Sequence, residues 1–329
     1  MKCFASDWAS AEKFLICYTE VQENNKSVSK LRVSIVQYLN TAPLVWGFTR
    51  GPLQGKYELA FTVPSQCAED LRNGRADIAI IPAIEYQRIP DLVILPEMAI
   101  ASKKEVRSLL IVSKRPIEQA QSIALDRSSR STQALTRILS AEKWNIEPHF
   151  SEGAPDLPEM LRQSDAGLVI GDPALRISLS IERAGRPGEE GQTICRAATL
   201  GITSAELLYV YDVAGEWRDF TGLPAVLAVW AARRKVATRE VIADFLASRE
   251  YGLSRLGEIS VEAARELESP AKSLESYLRQ NIDYSLDEEN FKGLAKYYEL
   301  AARHGLISQS KPLEWATQEI KAVGATGVL

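Results

Sequence analysis

Five times in its first 175 residues the chain runs an apolar strand directly into a helix start, with proline or small polar residues at the join. The joins are Tyr38-Leu39-Asn40-Thr41-Ala42-Pro43, Val63-Pro64-Ser65, Ile81-Pro82-Ala83-Ile84-Glu85, Leu125-Asp126-Arg127-Ser128-Ser129-Arg130-Ser131 and Ile170-Gly171-Asp172-Pro173. Strands that alternate with helices in this way form right-handed βαβ units around a parallel sheet covered on both faces. All such joins then fall along the carboxyl edge of the sheet, where free backbone N–H groups and helix dipoles converge. The pattern predicts a site for a small anion.

At 329 residues the chain exceeds one ordinary core, so two lobes are expected. The balance of 39 Lys and Arg against 43 Asp and Glu gives a net charge of −4, which argues against a nucleic-acid partner. Locally, Lys103, Lys104, Arg107, Lys114 and Arg115 face only Glu105 within one short stretch. Such a run reads as a solvated surface, or as a local attraction for an anion. Cys3, Cys17, Cys67 and Cys195 have no metal-type spacing and read as reduced thiols of a cytoplasmic protein. His149 reads as part of an αβ loop, and His304 as the C-terminus of a helix before Gly305. With two isolated histidines and no His-Glu-x-x-His, Gly-x-Ser-x-Gly, Walker or Gly-x-Gly-x-x-Gly motif, neither a metal, a hydrolase triad nor a nucleotide cofactor has support in the sequence. Residues 1–30 read as a polar extension whose one apolar run, Phe14 to Tyr18, is too short for an export signal. No stretch approaches the roughly 20 apolar residues that span a bilayer.

The expected elements from Leu31 are strands at Val33–Val36, Leu59–Val63, Asp77–Ile81, Leu109–Val112, Ser122–Leu125, Gly167–Ile170, Leu207–Tyr211 and Ala225–Trp230. Helices are expected from Thr41, which can cap with Pro43 in the first turn, from Pro64 to about Asn73, and from about Thr132 to Lys143. Beyond Thr238 the chain reads as helical, over Glu240–Ser248, Ser273–Gln280 and Asp287–Arg303. In the last, Phe291, Leu294, Tyr298 and Ala301 share a face and are expected in the core. Residues 31–112 with 223–329 form the first expected lobe and 113–222 the second, with Leu109–Val112 and Ala225–Trp230 as the extended crossings. This is the two-lobe, type II architecture of periplasmic binding proteins, an α/β fold with its ligand in the cleft between lobes.

Six segments at these joins resemble the chorismate dehydratases, which open the futalosine route to menaquinone. They are Val36 to Leu44, Arg75 to Pro82, Val106-Arg107-Ser108, Ala124 to Ser131, Ile170 to Leu175 and Thr221-Gly222-Leu223-Pro224. The resemblance covers about residues 31 to 305. A sister enzyme, dihydroxynaphthoate synthase, shares the fold but has a different opening loop. The resemblance implies that chorismate loses water across two adjacent ring carbons to give 3-[(1-carboxyvinyl)oxy]benzoate. Such a protein holds two carboxylates, aligns a C–H with a proton acceptor and stabilises the departing hydroxyl.

Asn40 and Ser108 match the family's Asn and Ser and are the implied catalytic residues. Asn40 would orient a hydroxyl or carboxylate through its amide, since a neutral carboxamide is a poor base and a substrate carboxylate a better proton acceptor. Ser108 would donate to the departing oxygen or anchor a carboxylate. Thr41, Ser128, Ser129, Arg130 and Ser131 are the expected substrate-binding residues, the serines with the helix N-terminus behind them. Asp172 is expected to orient a hydroxyl or to cap the helix at Pro173. Glu85 and Tyr86 are further candidates. The expected partner is small-molecule chorismate, with no nucleic acid, no membrane and no cofactor, in a monomer or homodimer. Two rivals are a solute-binding protein of a transporter, which should carry an export signal or lipid anchor, and a regulator's effector domain, which needs a preceding DNA-binding unit.

Overall fold

A computed structural model describes residues 30–185, 193–203 and 206–316. The expected N-terminal extension, with Cys3 and Cys17, lies outside the described residues. Two mixed sheets carry the fold. In the first, β1 (Arg32–Val36) lies between β2 (Glu58–Thr62) and β3 (Ile78–Pro82), parallel to both. Next come β11 (Ala225–Arg233) and then β4 (Leu92–Ser102), each antiparallel to its neighbour. In the second, β6 (Ser122–Asp126) runs parallel to β7 (His149–Gly153) and β8 (Ala166–Ile170). Strands β5 (Leu109–Ser113), β10 (Leu207–Asp212) and β9 (Thr193–Arg196) extend that sheet in antiparallel fashion.

The expected crossings are corrected by this topology. Leu109–Val112 belongs wholly to the second sheet and Ala225–Trp230 wholly to the first, where it separates β3 from β4. The chain passes between sheets in residues 103–108 and 222–224, and we place the lobe boundaries there. The first passage is held by a single carboxylate. Asp212, at the end of β10, accepts the N–H groups of Val106 at 3.0 Å and Arg107 at 2.5 Å. The same side chain caps α7 (Val213–Thr221) through Ala214 and Gly215.

Helices follow the joins closely: α1 (Ala42–Thr49) after a short 3-10 turn over Leu39–Thr41, α2 (Pro64–Arg72), α3 (Ala83–Arg88), α4 (Arg130–Glu142) and α6 (Gly171–Arg183). A shorter α5 (Leu157–Gln163) precedes β8. The C-terminal part adds α8 (Arg239–Leu253), α9 (Leu256–Glu266), α10 (Ala271–Gln280) and α11 (Glu288–Arg303). Helix α8 packs on α1 at backbone distance. A Cβ on Gly47 would stand 2.6 Å from Ser248 Cα, and the Ser248 hydroxyl donates to the Leu44 carbonyl at 2.9 Å. One apolar cluster runs through both sheets, from Val33 and Ile80 to Leu125 and Ile138, with a smaller one on the far side of the second sheet.

On α11, Leu294, Tyr298 and Ala301 are buried as expected, but Phe291 is 39% exposed, its ring tilted towards Trp315 at 6.1 Å. The basic run around residue 110 is spent on local pairs. Lys103 meets Asp287, Arg107 meets Glu182, Arg115 meets Asp165, and Lys114 donates to the Leu161 carbonyl. His149 opens edge strand β7 instead of lying in a loop, whereas His304 does end α11, against Glu142 at 2.8 Å. No helix among the described residues is long and apolar enough to cross a membrane.

Candidate active site

The five joins meet. Leu39 N–H donates to Asp172 Oδ1 at 3.0 Å, Ser65 N–H to the Ser128 carbonyl at 3.1 Å, and Ile84 N–H to the Ser131 hydroxyl at 3.2 Å. Each of these bonds links the first sheet's edge to the second's, so the two edges are closed against one another. Between them lies a cavity of about 50 Å³ lined by residues from all five joins. A larger hollow of about 480 Å³ sits beside α7, away from the joins. Volume alone does not make a site; the small cavity is where helix N-termini converge.

Its lining holds two kinds of residue. Val36, Ile80, Ile100, Leu109, Ile170 and Leu227 are apolar. Tyr38, Asn40, Thr41, Ser129, Ser131 and Thr132 are polar, and no charged side chain is in the lining. An anion held here would be met by hydroxyls, an amide and backbone N–H groups. The first turn of α4 supplies the latter, because the N–H groups of Arg130, Ser131 and Thr132 have no helical acceptor.

The candidates from sequence separate on this geometry. Asn40, Thr41, Ser129 and Ser131 face the cavity. Thr41 does not cap α1; its hydroxyl donates to Asn40 Oδ1 at 3.3 Å. The Ser128 hydroxyl turns back to Asp126 Oδ1 at 2.7 Å, with its own N–H on the same oxygen at 2.9 Å. That closed local turn leaves Ser128 a shaping role. Ser129 donates to the Thr132 hydroxyl at 2.7 Å, so the two act as a pair, and Thr132 is a lining residue that reading the serines alone passes over.

Arg130 is not a cation held ready for the ligand. Its guanidinium bridges Glu85 at 3.0 Å and Glu69 at 2.8 Å, across the lobes. Glu85 is fully buried and also holds Arg72 and Arg88, so it belongs to a closure clamp and not to the cavity. The Arg130 hydrogen bond keeps the Glu69 carboxyl below its usual range. Tyr86 points elsewhere too: its hydroxyl donates to the Pro312 carbonyl and accepts from Glu314 N–H, tying down the chain after α11.

Asp172 neither lines the cavity nor caps α6, which begins one residue earlier. It latches the Leu39 turn that presents Asn40. Next to it, Gly171 has φ +66°, and a Cβ there would stand 2.6 Å from the Tyr38 ring, so only glycine fits. Burial drives the Tyr38 phenol up to about 12 and the Asp172 carboxyl up to about 6. A carboxyl raised in this way binds its proton more tightly folded than unfolded, so its ionisation lowers stability as pH rises from about 4 to about 6. The Asp172→Asn variant keeps an acceptor for Leu39 and lacks that titration. Denaturant titrations at successive pH values should show wild type losing stability relative to the variant across this window, with a constant difference between them above it. A difference that does not change with pH contradicts the assignment.

Ser108 lies at the entrance to β5, outside the cavity lining but next to its member Leu109, 1% exposed, with its carbonyl accepting Gly171 N–H at 2.8 Å. Its hydroxyl accepts from Tyr277 of α10 at 2.9 Å. Behind the serines, neighbouring tyrosines of α11 brace one join on each lobe. Tyr297 donates to the Ser131 carbonyl at 3.0 Å and Tyr298 to the Ala83 carbonyl at 2.7 Å. Sequence could not single out these three tyrosines, because each sits on the apolar stripe of an amphipathic helix, where Tyr reads as core.

Comparison with known proteins agrees with this architecture. The chorismate dehydratase of Thermus thermophilus is 28% identical over 269 residues, which cover 81% of this chain and 93% of that protein. A solved protein from Archaeoglobus fulgidus superposes with a TM-score of 0.65 at 19% identity, covering 85% of this chain and 100% of its own. The periplasmic aliphatic sulphonate binding protein of Escherichia coli superposes with a TM-score of 0.56 at 16% identity, over 86% and 95% of the two chains. These structures establish the two-lobe binding-protein fold. The family model described as menaquinone biosynthesis matches residues 31–303, a span that holds both sheets and every join of the cavity, and the chain belongs to that family.

Proposed function

We propose that this chain is a chorismate dehydratase, a hydro-lyase that converts chorismate to 3-[(1-carboxyvinyl)oxy]benzoate and water. The observation that carries the reading is the uncharged cavity where all five joins meet, lined by apolar side chains together with hydroxyls, an amide and a helix N-terminus. A cyclohexadiene ring suits the apolar side chains and its carboxylates the donors. Membership of the menaquinone-biosynthesis family and the Thermus relative support the same substrate. We place this activity in the cytoplasm.

The reaction asks little acid–base strength of the protein. The ring becomes aromatic as it loses water, and aromatisation supplies most of the driving force. A substrate carboxylate takes the proton from carbon, and the hydroxyl on the adjacent carbon departs with a proton as water. Asn40 fixes the orientation of the ring substituents, and Ser108 donates a hydrogen bond to the departing oxygen. Seating one carboxylate on the first turn of α4, through Ser129, Ser131 and Thr132, keeps the enolpyruvyl group from competing rearrangement. Closure of the lobes excludes water, which strengthens each of these neutral hydrogen bonds.

Purified protein incubated with chorismate and followed by mass spectrometry should yield a product lighter by one water that retains the enolpyruvyl group. Unchanged chorismate, together with thermal stabilisation by another small organic acid, would move the protein to the solute-binding class.

A further inference from the structure

Tyr277 differs from the other buried tyrosines near the joins. Tyr297 and Tyr298 satisfy their hydroxyls on backbone carbonyls, as core tyrosines commonly do. Tyr277 instead gives its proton to a side chain, Ser108 Oγ, at 2.9 Å. This pair ties α10 to the segment that enters β5, next to the lining residue Leu109. Burial keeps the phenol protonated and therefore a donor. The Ser108 proton, in turn, has the Val106 carbonyl at 3.4 Å, well beyond an ordinary O–H···O bond, and can be given up to a ligand at little cost.

We propose that Tyr277 is a positioning residue: by donating to Ser108 Oγ it sets that side chain's rotamer and leaves the Ser108 proton directed at the substrate's departing hydroxyl. The proposal deepens the dehydratase reading and rests on it for the identity of that hydroxyl.

The test is Tyr277→Phe, which keeps the buried ring and removes one oxygen. The kcat for chorismate is expected to fall roughly tenfold, the value of one ordinary hydrogen bond, with KM changed by less than about threefold. In a double-mutant cycle, Tyr277→Phe with Ser108→Ala should be no slower than Ser108→Ala alone. A crystal structure of Tyr277→Phe should show Ser108 Oγ in a different rotamer. An unchanged kcat, losses that multiply in the cycle, or an unmoved Ser108 each overturns the proposal. Wild-type protein that leaves chorismate intact removes the dehydratase reading, and the Ser108 rotamer in Tyr277→Phe still decides whether Tyr277 sets it.

Discussion

Ser108→Ala and Asn40→Ala should each lower kcat for chorismate by about 10²–10³-fold, the cost of removing one donor aimed at developing charge. Asn40 lines the cavity and Ser108 lies next to the lining residue Leu109, and no charged side chain lines the cavity to take over their roles. Ser108→Ala also leaves the buried Tyr277 hydroxyl without its acceptor, which costs about 1–3 kcal/mol of stability. The protein should remain folded at assay temperature, so steady-state kinetics beside a thermal melt separates lost chemistry from lost structure. Full activity in both variants would show that the roles are misassigned even if the dehydratase function holds.

Glu85→Ala is expected to lower stability by about 2–3 kcal/mol, because it removes the buried acceptor of charged hydrogen bonds from three arginines that are each about a third exposed. Glu85 is wholly buried and receives Arg72, Arg88 and Arg130, two from its own lobe and the third from α4 across the cleft. Arg72 and Arg130 retain Glu69, which limits the loss. Denaturant unfolding of Glu85→Ala and Glu85→Gln measures it, and a change below about 1 kcal/mol in both would mean that the clamp contributes little. Arg130→Ala provides the contrast. If Arg130 held a substrate carboxylate, its loss would raise KM by orders of magnitude; as part of the clamp it should act mainly through stability.

The joins themselves were legible because strand-to-helix transitions are written locally. An apolar β-branched run followed by proline or small polar residues leaves few alternatives, and each of the five joins does end a strand and start a helix. Strand β4 is not among the expected strands: Pro96 and Glu97 interrupt its apolar run. The structure accommodates them as an irregularity on an edge strand, with Glu97 at φ +63°. The spans of β5, β10 and β11 were expected but their direction was hidden, since strand direction depends on which segments meet and not on their own patterning. That is why Leu109–Val112 and Ala225–Trp230, read as crossings, prove to be ordinary members of one sheet each.

The amino-acid sequence by itself determined which segments end in helix N-termini, and thereby that small polar donors would gather along one edge of each sheet. Only the tertiary structure decided which of those donors face the cavity. Arg130 and Asp172 carry the right chemistry and the right position in the chain, yet contacts across the cleft claim both, one for Glu69 and Glu85 and the other for the Leu39 N–H. Tyr277, some 170 residues from Ser108, carries no local signal and acquires its place only when α10 docks. A side chain's partners are settled by whichever groups burial brings within about 3 Å, and long-range proximity of that kind is a property of the folded chain.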